Sequence, residues 1–489
     1  MLLKKSLENI ASSNERLQKV AYVNNGKSTS YQELFSSAEE VRKFLVQKNN
    51  NKPVIVFGHK QAGMFSTFLG CNASGVAFVP VDVTTPKERV ENVIRLSGAD
   101  FIVALSPLPF DVSCNIVEFD LLVSGEHYKL NLDSYVKNED ISYIIFTSGS
   151  TGVPKGVEIS IEALDDFVFW SKGLVQKAKE HVFVNQALFS FDLSVFELWT
   201  SIALEGKILG LEHKNNSNIR AHFEEIQKEK CTVWVSTPSF ADLCLIDKRF
   251  SAASIPSLEY FVFCGEVLAK STALKLKERF PDAHILNLYG PTEATCAMTA
   301  IEITQDVLNK YEVLPVGYVK EGTELYVDTA NGNNELVIVG NNVSHGYIND
   351  PVKTAAQFFK KDGLRAYRTG DYGYFEEGNL LFVKGRIDRQ IKFKGYRIEL
   401  EEIEAVIRKT LDVSHAACIA VVKNEKVTDL IGVLSGDVES SYSEFAEKLK
   451  PYLPDYMIPT KVRYVQVMPL NSNGKIDRKK LDALVNSKE

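Results

Sequence analysis

Short, nearly unbroken apolar runs alternate with longer stretches in which apolar positions recur at helical spacing. The runs 53–57 (PVIVF), 101–104 (FIVA), 143–146 (YIIF) and 232–235 (TVWV) are too short for buried helices and predict buried strands. Between them, 30–46, 86–96 and 221–230 carry the apolar stripe of amphipathic helices. This alternation predicts α/β layering. The stretch 371–384 (DYGYFEEGNLLFVK) predicts a β-hairpin turning at Glu377-Gly378-Asn379. Beyond Arg386 the pattern changes. Helical periods at 399–410 and 443–453 accompany strand-like 417–422 and 428–434, about the content of a small α+β domain.

The composition is that of a globular protein: 489 residues, 45% hydrophobic and 24% charged, enough for more than one domain. The most apolar stretch, 182–204, is interrupted by Asn185, Gln186, Asp192 and Glu197, so it predicts core rather than a membrane span. The start, MLLKKSLENIASSNE, lacks the long apolar run of a signal peptide. The net charge is −7, and the densest basic run, 475–480, is short, so no nucleic-acid partner is expected. Seven scattered cysteines (71, 114, 231, 244, 264, 296, 418) form no CxxC pair. They support neither a disulfide framework nor a zinc site, and they suit a reducing cytoplasm.

Candidate chemistry begins at 146–156, FTSGSTGVPKG, directly after the 143–146 strand. Glycines let backbone N–H groups approach an anion, and hydroxyls add further donors. Lys155 adds a cation. Taken alone, the run reads equally well as a surface turn. A second lure, Asn25-Gly-Lys-Ser28, lacks the glycine a P-loop needs at position 21, which is Ala21. Downstream come Asn287-Leu-Tyr-Gly-Pro-Thr-Glu293, with an aromatic face, a tight turn, a hydroxyl and a carboxylate, and Tyr367-Arg-Thr-Gly-Asp371. Gly385-Arg-Ile-Asp-Arg-Gln-Ile-Lys392 and Asn473-Gly-Lys-Ile-Asp-Arg478 follow. Each is weak alone; in this order they are specific.

That series resembles the adenylate-forming enzymes, and among them the amino-acid adenylation domains of nonribosomal peptide synthetase type. The resemblance also takes in Ser30-Tyr-Gln-Glu-Leu34, Gly75-Val-Ala-Phe-Val-Pro-Val-Asp82, Phe191-Asp-Leu-Ser194 and Gly395-Tyr-Arg-Ile-Glu399, and so spans nearly the whole chain. It implies an α/β fold with a large N-terminal adenylate-forming domain, 1–387, and a small mobile α+β domain, 388–489, hinged at Asp388. It also implies ATP and Mg²⁺ as cofactors. Thr147, Ser148, Gly149, Thr151 and Lys155 would contact the phosphates. Asn287 and Tyr289 would frame adenine, with Thr292 beside them. Asp371 would accept the ribose hydroxyls, Arg386 would face the adenylate, Glu293 would ligate Mg²⁺, and Lys475 would be the catalytic lysine.

The expected reaction activates a carboxylate as an acyl-adenylate and passes the acyl group to a thiol. Developing charge at the α-phosphate calls for a cation and a metal there. Asp192 matches the aspartate that pairs with the substrate ammonium. A fatty-acid or aryl-acid activator has no use for a carboxylate there. The other reading of Asp192 is a helix cap. The remaining matched pocket positions are Leu193, Phe196, Val235, Val262, Cys264, Leu288, Gly290, Cys296 and Ala297, all uncharged. They imply a small neutral amino acid. The segments 233–244, 261–267 and 293–295 resemble the D-alanine-activating members of the family, with Cys264 at the position linked to stereochemical preference. D-Alanine therefore leads, with glycine, L-alanine, serine and proline as alternatives. The chain has no GGxS signature, so the thiol is expected on a separate phosphopantetheinylated carrier protein. Two other readings are an acyl- or aryl-CoA ligase and a catalytically silent nucleotide-binding paralogue.

Overall fold

The buried apolar runs become the strands of two large sheets in a computed structural model. It describes all residues except 150–152, 213–218, 331, 412, 414, 424–425, 436–439, 471–475 and 487–489. The chain divides into two units: residues 1–83, 94–146 and 156–387 form the first, and 84–93, 147–155 and 388–489 the second.

The first unit holds a nine-stranded sheet. Its order is Tyr318–Val319, Thr299–Glu302, His284–Tyr289, Tyr260–Phe263, Val233–Ser236, Val182–Asn185, Lys207–Gly210, Val20–Asn24 and Lys27–Ser30. From His284–Tyr289 through to Val20–Asn24, every neighbour runs parallel. Parallel pairing lines up the carboxyl ends of these strands, and beyond such ends α/β sheets bind their ligands. The six-stranded sheet has the order Asn115–Glu118, Phe101–Ala104, Val54–Gly58, Phe78–Asp82, Ile141–Thr147 and Lys155–Ser160. Its first five strands are also parallel. Helices Ala62–Ala73, Ile161–Val175 and Ser194–Ala203 contribute to one apolar core, in which the Phe68 and Phe78 rings stack 4.2 Å apart.

Local signals set several boundaries. Ser30 caps helix Tyr31–Gln47 in a capping box with Glu33. Asn25 and Gly26 both have positive φ (49° and 71°), which makes Asn25-Gly-Lys-Ser28 a tight turn between two paired strands and not a phosphate loop. The hairpin expected at 371–384 forms from Leu364–Glu376 and Leu380–Arg386, turning through Gly378 and Asn379, again with positive φ.

The second unit pairs Gln390–Phe393 with Tyr396–Glu399 and sets His415–Lys423, Lys426–Ser435 and Lys461–Tyr464 in a three-stranded sheet. Helix Leu400–Thr410 carries Glu401 and Glu402 in its first turn and Arg408 and Lys409 in its last, matching its dipole. From its middle, Glu404 accepts from Arg389 Nη2 at 2.9 Å, Arg478 Nη1 at 2.8 Å and the Cys418 N–H at 2.8 Å, which ties together four parts of the unit. The helix expected over 443–453 is shorter, Tyr442–Leu449. Pro451 has no N–H to continue the ladder, so the helix ends before it.

Candidate active site

The strand His284–Tyr289 delivers the 287–293 motif to the aligned carboxyl ends of the nine-stranded sheet. There the chain turns sharply at Gly290. A Cβ at that position would lie 2.5 Å from Ala297 Cα and 2.8 Å from the Cys296 carbonyl, so only glycine fits. After a short 3₁₀ turn, Thr292–Ala294, both Thr295 and Cys296 take left-handed backbone (φ 59° and 68°), which folds the chain back on Tyr289.

Four polar side chains of the 287–293 motif have fixed partners in the first unit. Thr292 Oγ1 donates to Asp192 Oδ2 at 2.6 Å. Thus Thr292, expected beside the nucleotide, orients the aspartate expected to hold the substrate ammonium. Asp192 does not cap the following helix, which has no side-chain cap. Glu293 is fully buried, and its Oε1 accepts from the Tyr347 hydroxyl at 2.9 Å. Tyr289 donates to Asp371 Oδ2 at 2.6 Å, while Arg386 Nη1 donates to Asp371 Oδ1 at 2.9 Å and to the Thr369 carbonyl at 2.8 Å. Burial and the Asp371 carboxylate push the Tyr289 phenol well above its ordinary range, so it stays a donor. Asn287 Nδ2 donates to the Pro315 carbonyl at 2.8 Å.

The residues expected to line the side-chain pocket are all buried. Leu193, Phe196, Val235, Val262, Cys264, Leu288, Cys296 and Ala297 all belong to one buried apolar cluster. They come from three neighbouring parallel strands and their ends, Val233–Ser236, Tyr260–Phe263 and His284–Tyr289, from the turn that follows Thr292–Ala294, and from the Ser194–Ala203 helix with its approach. Cys264 Sγ lies 3.8 Å from the Cys296 carbonyl. The Cys264 thiol, then burial, raise Cys296 well above the usual thiol range, so it packs as a neutral residue. Asp192, joined in sequence to Leu193, sets one carboxylate beside this uncharged cluster.

The phosphate-loop residues belong to the second unit. Ser148 Oγ donates to the Arg397 carbonyl at 2.7 Å and accepts from the Glu399 N–H at 3.2 Å. The Gly149 N–H donates to Glu402 Oε2 at 3.3 Å, while Glu402 Oε1 pairs with Arg89 Nη1 at 2.8 Å. A carboxylate therefore already accepts from this loop, as expected of a backbone that binds anions. Thr147 Oγ1 is shielded and has no hydrogen-bond partner among the described residues, a donor suited to a phosphate oxygen. Lys155 opens the strand Lys155–Ser160. Thr151 and Lys475 lie outside the described residues.

The family description "AMP-binding enzyme" matches residues 10–348. The chain belongs to the AMP-binding enzymes. Curated members of similar sequence include the D-alanine–D-alanyl carrier protein ligases of Listeria monocytogenes and Bacillus licheniformis. The first is 42% identical over 485 residues, covering 94% of this chain and 95% of the relative. The second is 40% identical over 480 residues, with the same coverage of 94% and 95%. Among solved structures, a Vibrio cholerae adenylation domain in complex with glycyl-adenosine-5'-phosphate superposes with a TM-score of 0.83 at 21% identity, covering 99% of this chain and 98% of that one. The shared architecture is that of adenylation domains, as the motif series implied.

This AMP-binding enzyme also holds functional candidates that the motif series did not single out. Tyr347, which fixes Glu293, sits in no motif of the series. Lys60, Asn185 and Glu197 form a buried polar cluster; Asn185 and Glu197 interrupt an apolar stretch of the sequence, whereas Lys60 gives no such signal. Among the described residues, no group of three or more His, Cys, Asp or Glu side chains is placed to hold a metal, and no helix is long and apolar enough to cross a membrane.

Proposed function

We propose that this AMP-binding enzyme activates D-alanine with ATP and transfers the D-alanyl group to the thiol of a separate phosphopantetheinylated carrier protein. The observation that carries the reading is Asp192. It is one carboxylate, oriented by Thr292, set beside a buried uncharged cluster that includes Phe196 and Cys264. A zwitterion with a small apolar side chain matches that arrangement. Near full-length similarity to D-alanine–D-alanyl carrier protein ligases supports the choice among small amino acids.

The chemistry follows in two steps. A carboxylate oxygen of the amino acid bonds to the α-phosphorus of ATP, and the bond to pyrophosphate breaks. The carrier thiol, giving up its proton, then bonds to the acyl carbon, and AMP leaves with the electron pair. Asp192 holds the ammonium, and Asp371, oriented by Tyr289 and Arg386, accepts from the ribose. Thr147 and the N–H groups of the 147–149 segment serve the phosphates. Lys475 supplies a cation to the charge that develops on the α-phosphate. Glu293 is suited to Mg²⁺, which takes one or two protein carboxylates and completes its shell from substrate phosphates and water. When bound, Mg²⁺ would neutralise phosphate charge.

ATP–pyrophosphate exchange against a full panel of D- and L-amino acids tests the substrate. D-Alanine is expected to give the strongest signal, followed by other small neutral amino acids. One methylene in an apolar pocket discriminates by about 1–3 kcal/mol, so the margin over glycine is expected to be modest. A charged or large aromatic amino acid in first place overturns the pocket assignment. Loading assays with carrier protein and with coenzyme A as acceptors test the second step, and only the carrier is expected to be loaded efficiently.

A further inference from the structure

Outside the expected site, a cationic side chain is wholly buried in the first unit. Lys60 lies in the loop between the strand Val54–Gly58 and the helix Ala62–Ala73 and has no solvent-exposed surface. Its ammonium donates to Asn185 Oδ1 at 2.5 Å and to the Ala187 carbonyl, and it lies 4.8 Å from the centre of the Phe189 ring. Asn185 Nδ2 in turn donates to Glu197 Oε1 at 2.5 Å and to the Ala187 carbonyl at 3.1 Å. Glu197, on helix Ser194–Ala203, is also fully buried, and its Oε2 has no partner among the described residues.

Burying such groups is costly, and a well-packed apolar set of the same volume is often as stable. The arrangement therefore calls for a reason beyond stability. Its position in the fold supplies one. Lys60 follows the carboxyl end of a strand in the six-stranded sheet, and Asn185 is the last residue of a strand in the nine-stranded sheet. The cluster ties these two ends together. The segment it grips, 185–189, runs on to Asp192. Beyond Asn185 the segment has no regular secondary structure up to the helix at Ser194. From elsewhere in the fold Thr292 Oγ1 also holds Asp192 Oδ2 at 2.6 Å, and local bonds run from the Phe191 N–H to the Leu188 carbonyl at 2.9 Å and from Ser194 Oγ to the Phe191 carbonyl at 2.6 Å.

We infer that Lys60, Asn185 and Glu197 form a positioning device that holds the 186–193 segment, and with it Asp192, in register with the amino-acid ammonium. Lys60 fixes the start of the segment and Glu197 the helix at its end, with Asn185 joining the two. Further titratable groups surround the cluster, among them Tyr22 and Cys296, which both interact electrostatically with Glu197. The Asp82 and Glu212 carboxylates act electrostatically on Lys60, and His59 bonds Asp82 at 2.6 Å. Burial draws Lys60 down to about 7 against the pull of Glu197, Asp82 and Glu212, and burial raises Glu197 to about 8.

The inference rests on Asp192 being the ammonium anchor, and the test separates the two. Pyrophosphate exchange is measured with the best amino acid of the panel, varying it at saturating ATP and then varying ATP. Lys60→Met is expected to raise the amino-acid KM about tenfold or more, because small displacements of a binding group are costly, while the ATP KM changes less than about twofold. Lys60→Arg, which keeps a cation at the same place, is expected to recover most of the loss. Should Lys60→Met not fold, Glu197→Leu, which removes the acceptor of Asn185 Nδ2, is read in the same way, with an expected rise of about threefold or more. The inference is overturned if the folded variant leaves the amino-acid KM within about twofold of the parent, or if both KM values rise together. Asp192→Ala is run beside them. If it leaves the amino-acid KM unchanged, the ammonium assignment fails, whatever Lys60 does.

Discussion

Asp192→Ala is expected to abolish most pyrophosphate exchange while ATP still binds. The substitution removes the only charge offered to the substrate ammonium by the proposed pocket, whose other side chains are uncharged. Truncating one partner of a buried charge pair costs about 2–5 kcal/mol, or about 30-fold to a few thousand-fold in kcat/KM. Asp192→Asn isolates the cause. It keeps an oxygen to accept from the Thr292 hydroxyl, now at 2.6 Å, but loses the charge. It is expected to lose nearly as much as the alanine variant, because the ammonium needs the charge and the threonine does not. Of the residues expected on the nucleotide side, Thr292 bonds Asp192 at 2.6 Å, but Tyr289, Asp371 and Arg386 are held by one another, so ATP affinity measured by titration should stay within about threefold of the parent. Near-normal exchange in both variants would return a non-amino-acid substrate to contention.

Lys475→Ala is expected to separate the two half-reactions. The proposed role of Lys475 is to meet the charge developing on the α-phosphate during adenylation. Loss of one such electrostatic contact costs about a hundred- to a thousand-fold in rate. Attack of the carrier thiol on the acyl carbon needs no cation at that phosphate oxygen to the same degree. Single-turnover loading from supplied aminoacyl-adenylate should therefore stay within about tenfold of the parent. Folding should be unaffected. Just beyond this position, Ile476 bridges to Leu470 and Arg478 pairs with Glu404. Equal loss of exchange and of loading in a folded variant would remove Lys475 from the adenylation step.

The sequence by itself determined what depends on near neighbours. Continuous apolar runs such as 101–104 and 143–146 can be satisfied only by burial on both faces, and they became interior parallel strands. Asn25-Gly26 dictated a tight turn, and Ser30 with Glu33 dictated a helix start, because backbone sterics and capping act over a few residues. The same locality explains the one helix drawn too long, where the apolar period ran on past Pro451 although the backbone could not. The motif order identified adenylate-forming architecture before any coordinates. Which side chains meet was decided only by the tertiary structure. Thr292 and Asp192, 100 positions apart, are joined because parallel strand order brings the carboxyl ends of Val182–Asn185 and His284–Tyr289 to the same edge. Lys60 and Asn185, 125 positions apart, meet because strands from two sheets end near one another. In the sequence, Lys60 is one more polar residue after a strand, and Glu197 one more interruption in an apolar run. No local energy distinguishes a solvated lysine from one whose ammonium is bonded in the interior; that difference arises only when the sheets close over it and remove the water.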